Sequence, residues 1–164
     1  MGDLMSKIKL RDVVDSDLPL FFDHQLDPEA NRMAAFTAEN PADRDRFDGL
    51  WDRIRSDDSI INKTIIYGDE VAGHIGAFNR FGVREITYWL GREFWGKGIA
   101  TEALMLFLDH ETTRPIYGRV AKDNIGSMRV LQKCGFEIVG EDKAYAAARG
   151  AETEEYVLEL LAED

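Results

Sequence analysis

The chain has 164 residues, of which 45% are hydrophobic and 31% charged, and its formal net charge at pH 7 is -11. This length and composition predict a single domain over residues 1–164 with its own core, in which residues 1–6 are expected to be a disordered leader. The acidic balance argues against nucleic acid as a partner and favours cationic ligands such as amines. No apolar run approaches the roughly 20 residues of a membrane span, so no membrane association is expected.

The cysteine and histidine residues exclude two further classes of protein. Cys134 is the only cysteine and the N-terminus has no signal-peptide pattern, so a reducing cytoplasm is the expected compartment. His24, His74 and His110 are scattered and lack the spacing of metal ligands. No metal is therefore expected.

The first sixty residues predict one strand followed by helices. Alternating apolar residues over 8–14 indicate the strand, and Ser16 is the expected N-cap of a helix that Asp27 interrupts. The segment 29–39 is expected to be a short helix or a loop. Asn40, which precedes a proline, is the expected cap of a further helix. The apolar face of that helix is formed by Phe47, Leu50, Trp51 and Ile54.

The pattern then changes to the period of two residues that is typical of strands. Residues 64–78 predict a hairpin around Gly68, and a further strand follows at 85–90. The remaining predicted elements are a helix from Ala100, a strand at 116–120, a helix capped by Asp123 or Asn124 and ended at Gly135, and strands at 136–139 and 156–160. The order β-α-α-β-β-β-α-β-α-β-β predicts an α/β (α+β) fold with a mixed, mostly antiparallel sheet and helices on both faces.

Residues 91–98 read Gly-Arg-Glu-Phe-Trp-Gly-Lys-Gly and connect the strand 85–90 to the next helix. A glycine-rich turn at a helix N-terminus directs several backbone N–H groups to one point, where the helix dipole adds positive potential. The stretch therefore predicts a site for a phosphate or pyrophosphate group.

Two common nucleotide-binding motifs do not fit this stretch. Gly91 to Lys97 satisfies the G-x-x-x-x-G-K of an ATP-binding loop, but the next position is Gly98 instead of the Ser or Thr that holds magnesium. A Rossmann fingerprint, G-x-G-x-x-G, fails because Gly98 is followed by Ile99, Ala100 and Thr101, and the third glycine would have to be at position 101. Neither ATP nor a dinucleotide is therefore favoured.

The stretch resembles the coenzyme A loop of the GNAT superfamily of acetyl-CoA-dependent N-acetyltransferases. In that family the pattern Q/R-x-x-G-x-G/A binds the pyrophosphate through backbone amides. Here the six positions run from Glu93 to Gly98, and Glu93 departs from the usual Gln or Arg. The run Tyr-Trp-Leu-Gly-Arg-Glu-Phe-Trp-Gly-Lys-Gly-Ile-Ala-Thr-Glu-Ala over 88–103 is typical of the RimJ/RimL-type branch, which modifies protein N-termini.

A second block of sequence supports the same resemblance. The branch shows Asn-x-x-Ser-x-x-Val-Leu-x-Lys-x-Gly-Phe, and the chain matches this pattern from Asn124 to Phe136. The two motifs follow in the family's order, with one helix and one strand between them. The resemblance covers residues 7–161 in element order and is specific over 85–136.

The resemblance implies acetyl-CoA as the co-substrate. The glycine loop would bind the pyrophosphate, and the preceding strand and the second motif would bind the pantetheine arm. Lys97 is equally well explained as a solvated lysine. Asn124 is expected to bind pantetheine and is able to cap a helix at the same time. The implied cofactor-binding residues are Tyr88, Leu90, Trp95, Gly96, Lys97, Gly98, Ile99, Ala100, Asn124 and Ser127.

The implied reaction is attack of a neutral amine on the thioester. Three residues receive catalytic roles: the Leu90 amide stabilises the oxyanion, Glu85 takes the amine's proton through water, and Ser127 orients or protonates the departing thiol. A solvent-facing charge at a strand end is the alternative for Glu85. The family's usual acid is a tyrosine seven residues after the motif asparagine, and that position is Leu131 here.

The sequence leaves the acceptor open. A primary amine is expected, either a protein N-terminus or a small molecule such as a polyamine, an amino acid or an antibiotic. Trp51, Trp89 and Trp95 either wall the acceptor pocket or pack in the core. Tyr88 and Tyr145 are further candidates for the general acid, although their positions relative to the thiol are not predicted. Homodimers are common in the branch. The alternative function is a non-catalytic acyl-CoA-binding or regulatory domain, which the missing tyrosine favours.

Overall fold

The structure is a computed structural model that describes residues 7–163, so the expectation for residues 1–6 lies outside the described part of the chain. The strands are β1 Ile8–Asp12, β2 Ile61–Tyr67, β3 Glu70–Arg80, β4 Val83–Leu90, β5 Ile116–Ala121, β6 Glu137–Ala146 and β7 Ala151–Leu160. The helices are α1 Leu18–Gln25, α2 Pro28–Ala34, α3 Arg44–Ser56, α4 Ile99–His110 and α5 Ile125–Lys133. None of these helices is long and apolar enough to cross a membrane.

The strands form one sheet in the order β1-β2-β3-β4-β5-β7-β6. Every neighbouring pair is antiparallel except β4 and β5, which are parallel. The β4–β5 ladder consists of two pairs, Arg84 with Ile116 and Glu85 with Tyr117, after which the strands no longer pair. The predicted mixed, mostly antiparallel sheet is confirmed, and its one parallel junction opens into a gap.

Helices cover both faces of the sheet, as predicted. On one face Ile75 of β3 belongs to the main core, to which α4 and α5 contribute Phe107 and Leu131. His74, the preceding residue of β3, points to the other face, because neighbouring strand residues alternate. Its ring lies 4.7 Å from that of Phe21 in α1 and 4.9 Å from that of Trp51 in α3.

Two predicted helix starts are wrong, because nearby aspartates cap or precede the helices instead. Ser16 does not cap α1, which follows a short 3-10 helix that includes the buried Asp17. The Asp17 carboxylate accepts hydrogen bonds from the guanidinium of Arg11 and the hydroxyl of Thr64. Tertiary partners therefore fix this turn.

The second wrong start is at Asn40. Its side chain accepts from the Ala42 amide in a tight turn, whereas α3 begins at Arg44 and is capped by Asp43, which accepts from the Arg46 amide.

The segment 29–39 is part helix and part irregular chain. Helix α2 is capped by Asp27 and ends at Ala34, and the following residue, Ala35, has φ +68° and ψ -57°. The amide of Phe36 donates to the carbonyl of Ala34 at 2.8 Å, so Ala35 occupies a strained γ-turn. Ala35 is fully buried against Ala121 at the end of β5, which places the end of α2 beside the gap in the sheet.

Candidate active site

The edge of β4 that faces the gap carries unpaired backbone groups. The amide of Gly91 donates to the carbonyl of Ala72 at 2.9 Å, so odd-numbered residues of β4 exchange hydrogen bonds with β3. The amides of Tyr88 and Leu90 therefore point toward β5, which no longer pairs with β4 there. This arrangement supplies backbone donors at the opening of the sheet.

The glycine loop follows directly from this edge. Gly96 has φ +75° and Gly98 has φ +76°, and Gly98 is the N-cap of α4. An added Cβ would meet no atom within 4 Å at either position, so the left-handed backbone, and not a lack of space, favours glycine. Within the described chain no side chain caps α4, so its first N–H groups are available to an anion.

A cleft of about 580 Å³ lies between the end of β4, the glycine loop, the start of α4, the first turns of α5 and the end of α2. This volume is in the range of small-molecule and cofactor sites. The predicted cofactor-binding residues that line the cleft are Tyr88, Leu90, Trp95, Gly96, Gly98, Ile99, Ala100, Asn124 and Ser127. Lys97 is not among the lining residues, and its ammonium group lies 5.9 Å from the centre of the Tyr67 ring.

Asn124 joins the second motif to both the cap and the cleft. Its side-chain oxygen accepts from the Ser127 amide at 3.2 Å, which caps α5. Its amide nitrogen donates to the carbonyl of Met33 at 3.2 Å, which ties α5 to α2 across the cleft. The prediction that Asn124 caps a helix is confirmed.

Ser127 and Tyr88 meet inside the cleft. The two hydroxyl oxygens are 2.8 Å apart, and either hydroxyl is able to donate. Burial raises the pKa of Tyr88 to about 12, so the phenol is protonated at neutral pH. Both residues were predicted from the sequence to bind the cofactor, but no sequence pattern predicted that they pair.

Glu85 lies apart from these residues. It is on the opposite face of β4 from Tyr88, at the last paired position of the β4–β5 ladder, and it does not line the cleft. The carboxylate is 3.0 Å from Nη2 of Arg80 and 3.5 Å from Nε of Arg119. Burial raises the pKa of Glu85, although both guanidinium groups act in the opposite direction.

The three tryptophans and Cys134 lie in different parts of the structure. Trp89 and Trp95 line the cleft, whereas Trp51 is buried with Phe21 in a separate core cluster. Cys134 lies outside the cleft, with its Sγ 3.6 Å from the carbonyl of Thr101, and burial raises the pKa of its thiol. The thiol therefore lacks the features of an activated nucleophile.

The sequence reasoning missed two basic side chains in the cleft. Arg129 and Lys133 line it from α5 and form no ion pair within residues 7–163. Their spacing of four residues on a helix puts them on the same face, and a basic pair at this spacing just after the motif asparagine was the available signal.

A mixed sheet that opens between two parallel strands, with a glycine loop leading into a helix at the opening, is the architecture of a GNAT-type acetyltransferase. The chain belongs to this family: residues 7–137 match the family described as "Acetyltransferase (GNAT) domain". The resemblance inferred from the two motifs is thus confirmed.

Curated relatives match part of the chain. An uncharacterized N-acetyltransferase p20 of Bacillus licheniformis is 36% identical over 101 residues, which are 57% of this chain and 56% of that protein. A probable N-acetyltransferase YjcK of Bacillus subtilis (strain 168) is 39% identical over 83 residues, which are 48% of this chain and 46% of that protein. The matched regions thus span about half the length of these relatives.

Solved structures share the fold over nearly the whole chain. RimJ of Mycobacterium smegmatis, in complex with CoA-disulfide, has a TM-score of 0.77 at 23% identity, covering 94% of this chain and 82% of that chain. A spermidine N-acetyltransferase from Vibrio cholerae, in complex with CoA and spermine, has a TM-score of 0.79 at 18% identity, covering 94% and 95%. At these identities the likeness concerns the fold.

Proposed function

We propose that the protein is an acetyl-CoA-dependent N-acetyltransferase that transfers the acetyl group directly to a primary amine in a ternary complex. The observation that carries this proposal is the cleft in which the glycine loop, the uncapped start of α4 and the unpaired edge of β4 converge. Family membership gives the reaction class, and the cleft offers groups that suit each part of the donor.

Different residues of the cleft bind different parts of acetyl-CoA. The amides of Gly98, Ile99 and Ala100 hold the pyrophosphate, because they stand at the positive end of α4. Asn124 and the edge of β4 bind the pantetheine arm. The Leu90 amide, which points into the gap, stabilises the oxyanion that develops on the acetyl carbonyl.

The amine approaches from the face of the sheet that carries α2 and Trp89. Met33 and Ala34 line the cleft there. Glu85 is on this face, but it is about 13 Å from Trp89 along β4 at roughly 3.3 Å per residue. Glu85 would therefore take the amine's proton through more than one water molecule.

The acceptor is a protein N-terminus or a small-molecule amine. The net charge of -11 favours a cationic substrate, and the structural neighbours include a spermidine N-acetyltransferase and RimJ. The lone cysteine agrees with a cytoplasmic enzyme. A homodimer is expected from the branch, and sedimentation of the purified chain tests it.

The function is tested by measuring thiol release from acetyl-CoA with a panel of amines, polyamines and N-terminal peptides. We expect at least one class of acceptor to raise thiol release above the rate without acceptor. Calorimetric titration with CoA is the companion measurement. Binding of CoA without turnover of any acceptor contradicts the enzymatic proposal and favours a non-catalytic acyl-CoA-binding domain, whereas no binding contradicts both.

A further inference from the structure

Two consecutive carbonyl groups at the end of α2 are bound by side chains from other parts of the chain. The side-chain nitrogen of Asn124 donates to the carbonyl of Met33 at 3.2 Å, and Nε of Arg149 donates to the carbonyl of Arg32 at 2.8 Å. The last carbonyls of a helix have no partner within the helix itself. Asn124 immediately precedes α5 and Arg149 lies in the turn between β6 and β7, so both of these segments hold the end of α2.

The same arginine also binds the start of α5. Nη1 and Nη2 of Arg149 donate to the two carboxylate oxygens of Asp123 at 2.7 and 2.8 Å. Because a guanidinium group is planar, the directions of its donors are fixed relative to one another. The Arg149 side chain is only 16% exposed. Arg149 therefore sets the relative positions of three segments: the end of α2, the β6–β7 turn and the start of α5.

The backbone next to this arginine is strained. Ala35, the residue after α2, has φ +68° and is buried with Ala121 and Ala146. The carbonyl of Ala146 accepts from the amide of Arg149 at 3.0 Å, so this group of small residues adjoins the turn that carries the arginine. A strained turn persists only where its surroundings hold it. Relaxation of this turn would let the last turn of α2 move away from the start of α5.

We infer that Arg149 is a positioning residue that keeps the acceptor side of the cleft closed to water. This inference rests on the proposed function, in which the amine approaches from the face that carries α2. Met33 and Ala34 form the wall of the cleft on that face, whereas Arg149 does not line the cleft. With this wall held against α5, the amine is guided to the thioester and bulk water is excluded.

Loss of this closure has a defined chemical consequence. Water that reaches the thioester attacks the acetyl carbonyl carbon, so that a C–O bond forms as the C–S bond breaks. The electron pair of the C–S bond stays on sulfur, the proton of the attacking water passes to solvent, and the products are acetate and coenzyme A. The rate of this hydrolysis follows the population in which the wall is open. Thiol release without any amine therefore reports the position of α2.

The test compares the parent protein with Arg149→Ala in three measurements. These are thiol release from acetyl-CoA without amine, hydrogen exchange of the backbone amides of residues 33–37, and calorimetric titration with CoA. We expect thiol release and exchange each to rise by about tenfold, which is the size expected when a hydrogen bond from a charged group no longer opposes local opening. The affinity for CoA should change by less than about twofold, because Asn124 keeps its bond to the Ser127 amide.

Two further variants separate this effect from a general loss of stability. Arg149→Lys keeps the charge but cannot make all three hydrogen bonds at once, so its rates should lie between those of the parent protein and Arg149→Ala. Lys122→Ala is the matched control. Lys122 also joins the end of β5 to the β6–β7 hairpin, through ion pairs with Glu141 and, at 2.7 Å, with Glu154. These pairs involve no residue of α2, so Lys122→Ala should keep the parent rates.

Several results would overturn the inference and leave the proposed function standing. One is an unchanged rate of thiol release in Arg149→Ala with CoA still bound, whether or not hydrogen exchange becomes faster, since the arginine would then be a structural tie alone. A second is an equal rise in Lys122→Ala. A third is a tenfold loss of CoA affinity in Arg149→Ala, which would assign the arginine to the donor site. Failure of the parent protein to bind CoA overturns the inference and the proposed function together.

Discussion

The indole Nε1 of Trp95 donates a hydrogen bond of 3.1 Å to the carbonyl oxygen of Leu90. This bond ties the middle of the glycine loop back to the last residue of β4, at the edge that faces the gap. The guanidinium of Arg92 lies 5.5 Å from the centre of the Trp95 ring and pairs with Asp27 at the start of α2. The loop is therefore held from both sides of the cleft.

We expect Trp95→Phe to weaken binding of acetyl-CoA by about two- to tenfold, since a neutral hydrogen bond contributes roughly 0.5–1.5 kcal/mol. Calorimetric titration measures the change. Trp95 is 38% exposed, so the free energy of unfolding should change little. Trp51→Phe is the contrasting variant, because Trp51 is only 3% exposed. This variant should have a lower free energy of unfolding and an unchanged affinity for acetyl-CoA. Equal affinities of Trp95→Phe and the parent protein contradict the role of this bond.

Two glycines with nearly the same backbone give a matched test of the loop. Gly98 has φ +76° and lines the cleft, and Gly82 has φ +77° in the turn between β3 and β4. An added Cβ meets nothing within 4 Å at either position. Alanine at each site should therefore cost a similar backbone strain of about 1–2 kcal/mol in urea unfolding.

Only Gly98→Ala should also weaken CoA binding, by about tenfold or more, because its methyl group enters the cleft where the backbone approaches the pyrophosphate. The same loss of affinity in Gly82→Ala would attribute the effect to general instability. Retained affinity in Gly98→Ala would place the pyrophosphate elsewhere.

Turn chemistry explains why the sequence predicted the loop and most of the cleft. The conformations of Gly98 and Asn124 depend on their own residue types and on immediate neighbours, so the local sequence contained the required information. The starts of helices α1 and α3 were harder to predict, because Asp17 and Asp43 lie within a few residues of Ser16 and Asn40 and compete with them for the position before the helix. For Asp17, contacts with distant Thr64 decide the outcome.

The contact between Tyr88 and Ser127 could not be predicted from the local sequence around either residue. The residues are 39 positions apart, and their approach depends on how far β4 and β5 separate. The ion pairs of Glu85 could not be predicted from the local sequence either, because Arg119 reaches it from β5 and Arg80 from the end of β3. Long-range packing determines both environments.

The role of Glu85 is tested by the pH dependence of turnover. A general base works in its ionised form, so turnover should rise with pH through the raised pKa of Glu85. Glu85→Gln should lose this rise and reduce turnover at neutral pH by about tenfold or more, with little change in acetyl-CoA affinity. Glu111→Gln is the control, because Glu111 is also buried and paired, with Arg84 at 2.7 Å, but has no role in the proposed reaction. If the pH profile of Glu85→Gln equals that of the parent protein, Glu85 is not the general base and serves only in its ion pairs.

Stability should fall in mild acid because of His74. Its ring is packed against Phe21 and Trp51, and its Nδ1 is buried with no hydrogen-bond partner among the described residues. Burial lowers the pKa of His74 from 6.5 to about 3, and nearby His24 acts in the same direction. Below pH 6.5 the unfolded chain therefore binds a proton that the folded chain does not bind until about pH 3.

The resulting stabilisation is present above the unfolded pKa and is lost as pH falls through this window, at up to about 1.4 kcal/mol per pH unit. Urea unfolding between pH 7 and pH 5 measures the slope while most carboxylates are still ionised. Leucine is similar in volume to histidine and cannot be protonated. We therefore expect the free energy of unfolding of His74→Leu to change less steeply with pH, by the slope that corresponds to about one proton bound on unfolding. Trp51→Phe should be less stable throughout with the parent slope. An equal slope in His74→Leu and the parent protein shows that His74 titrates alike in both states and contradicts the buried, neutral imidazole.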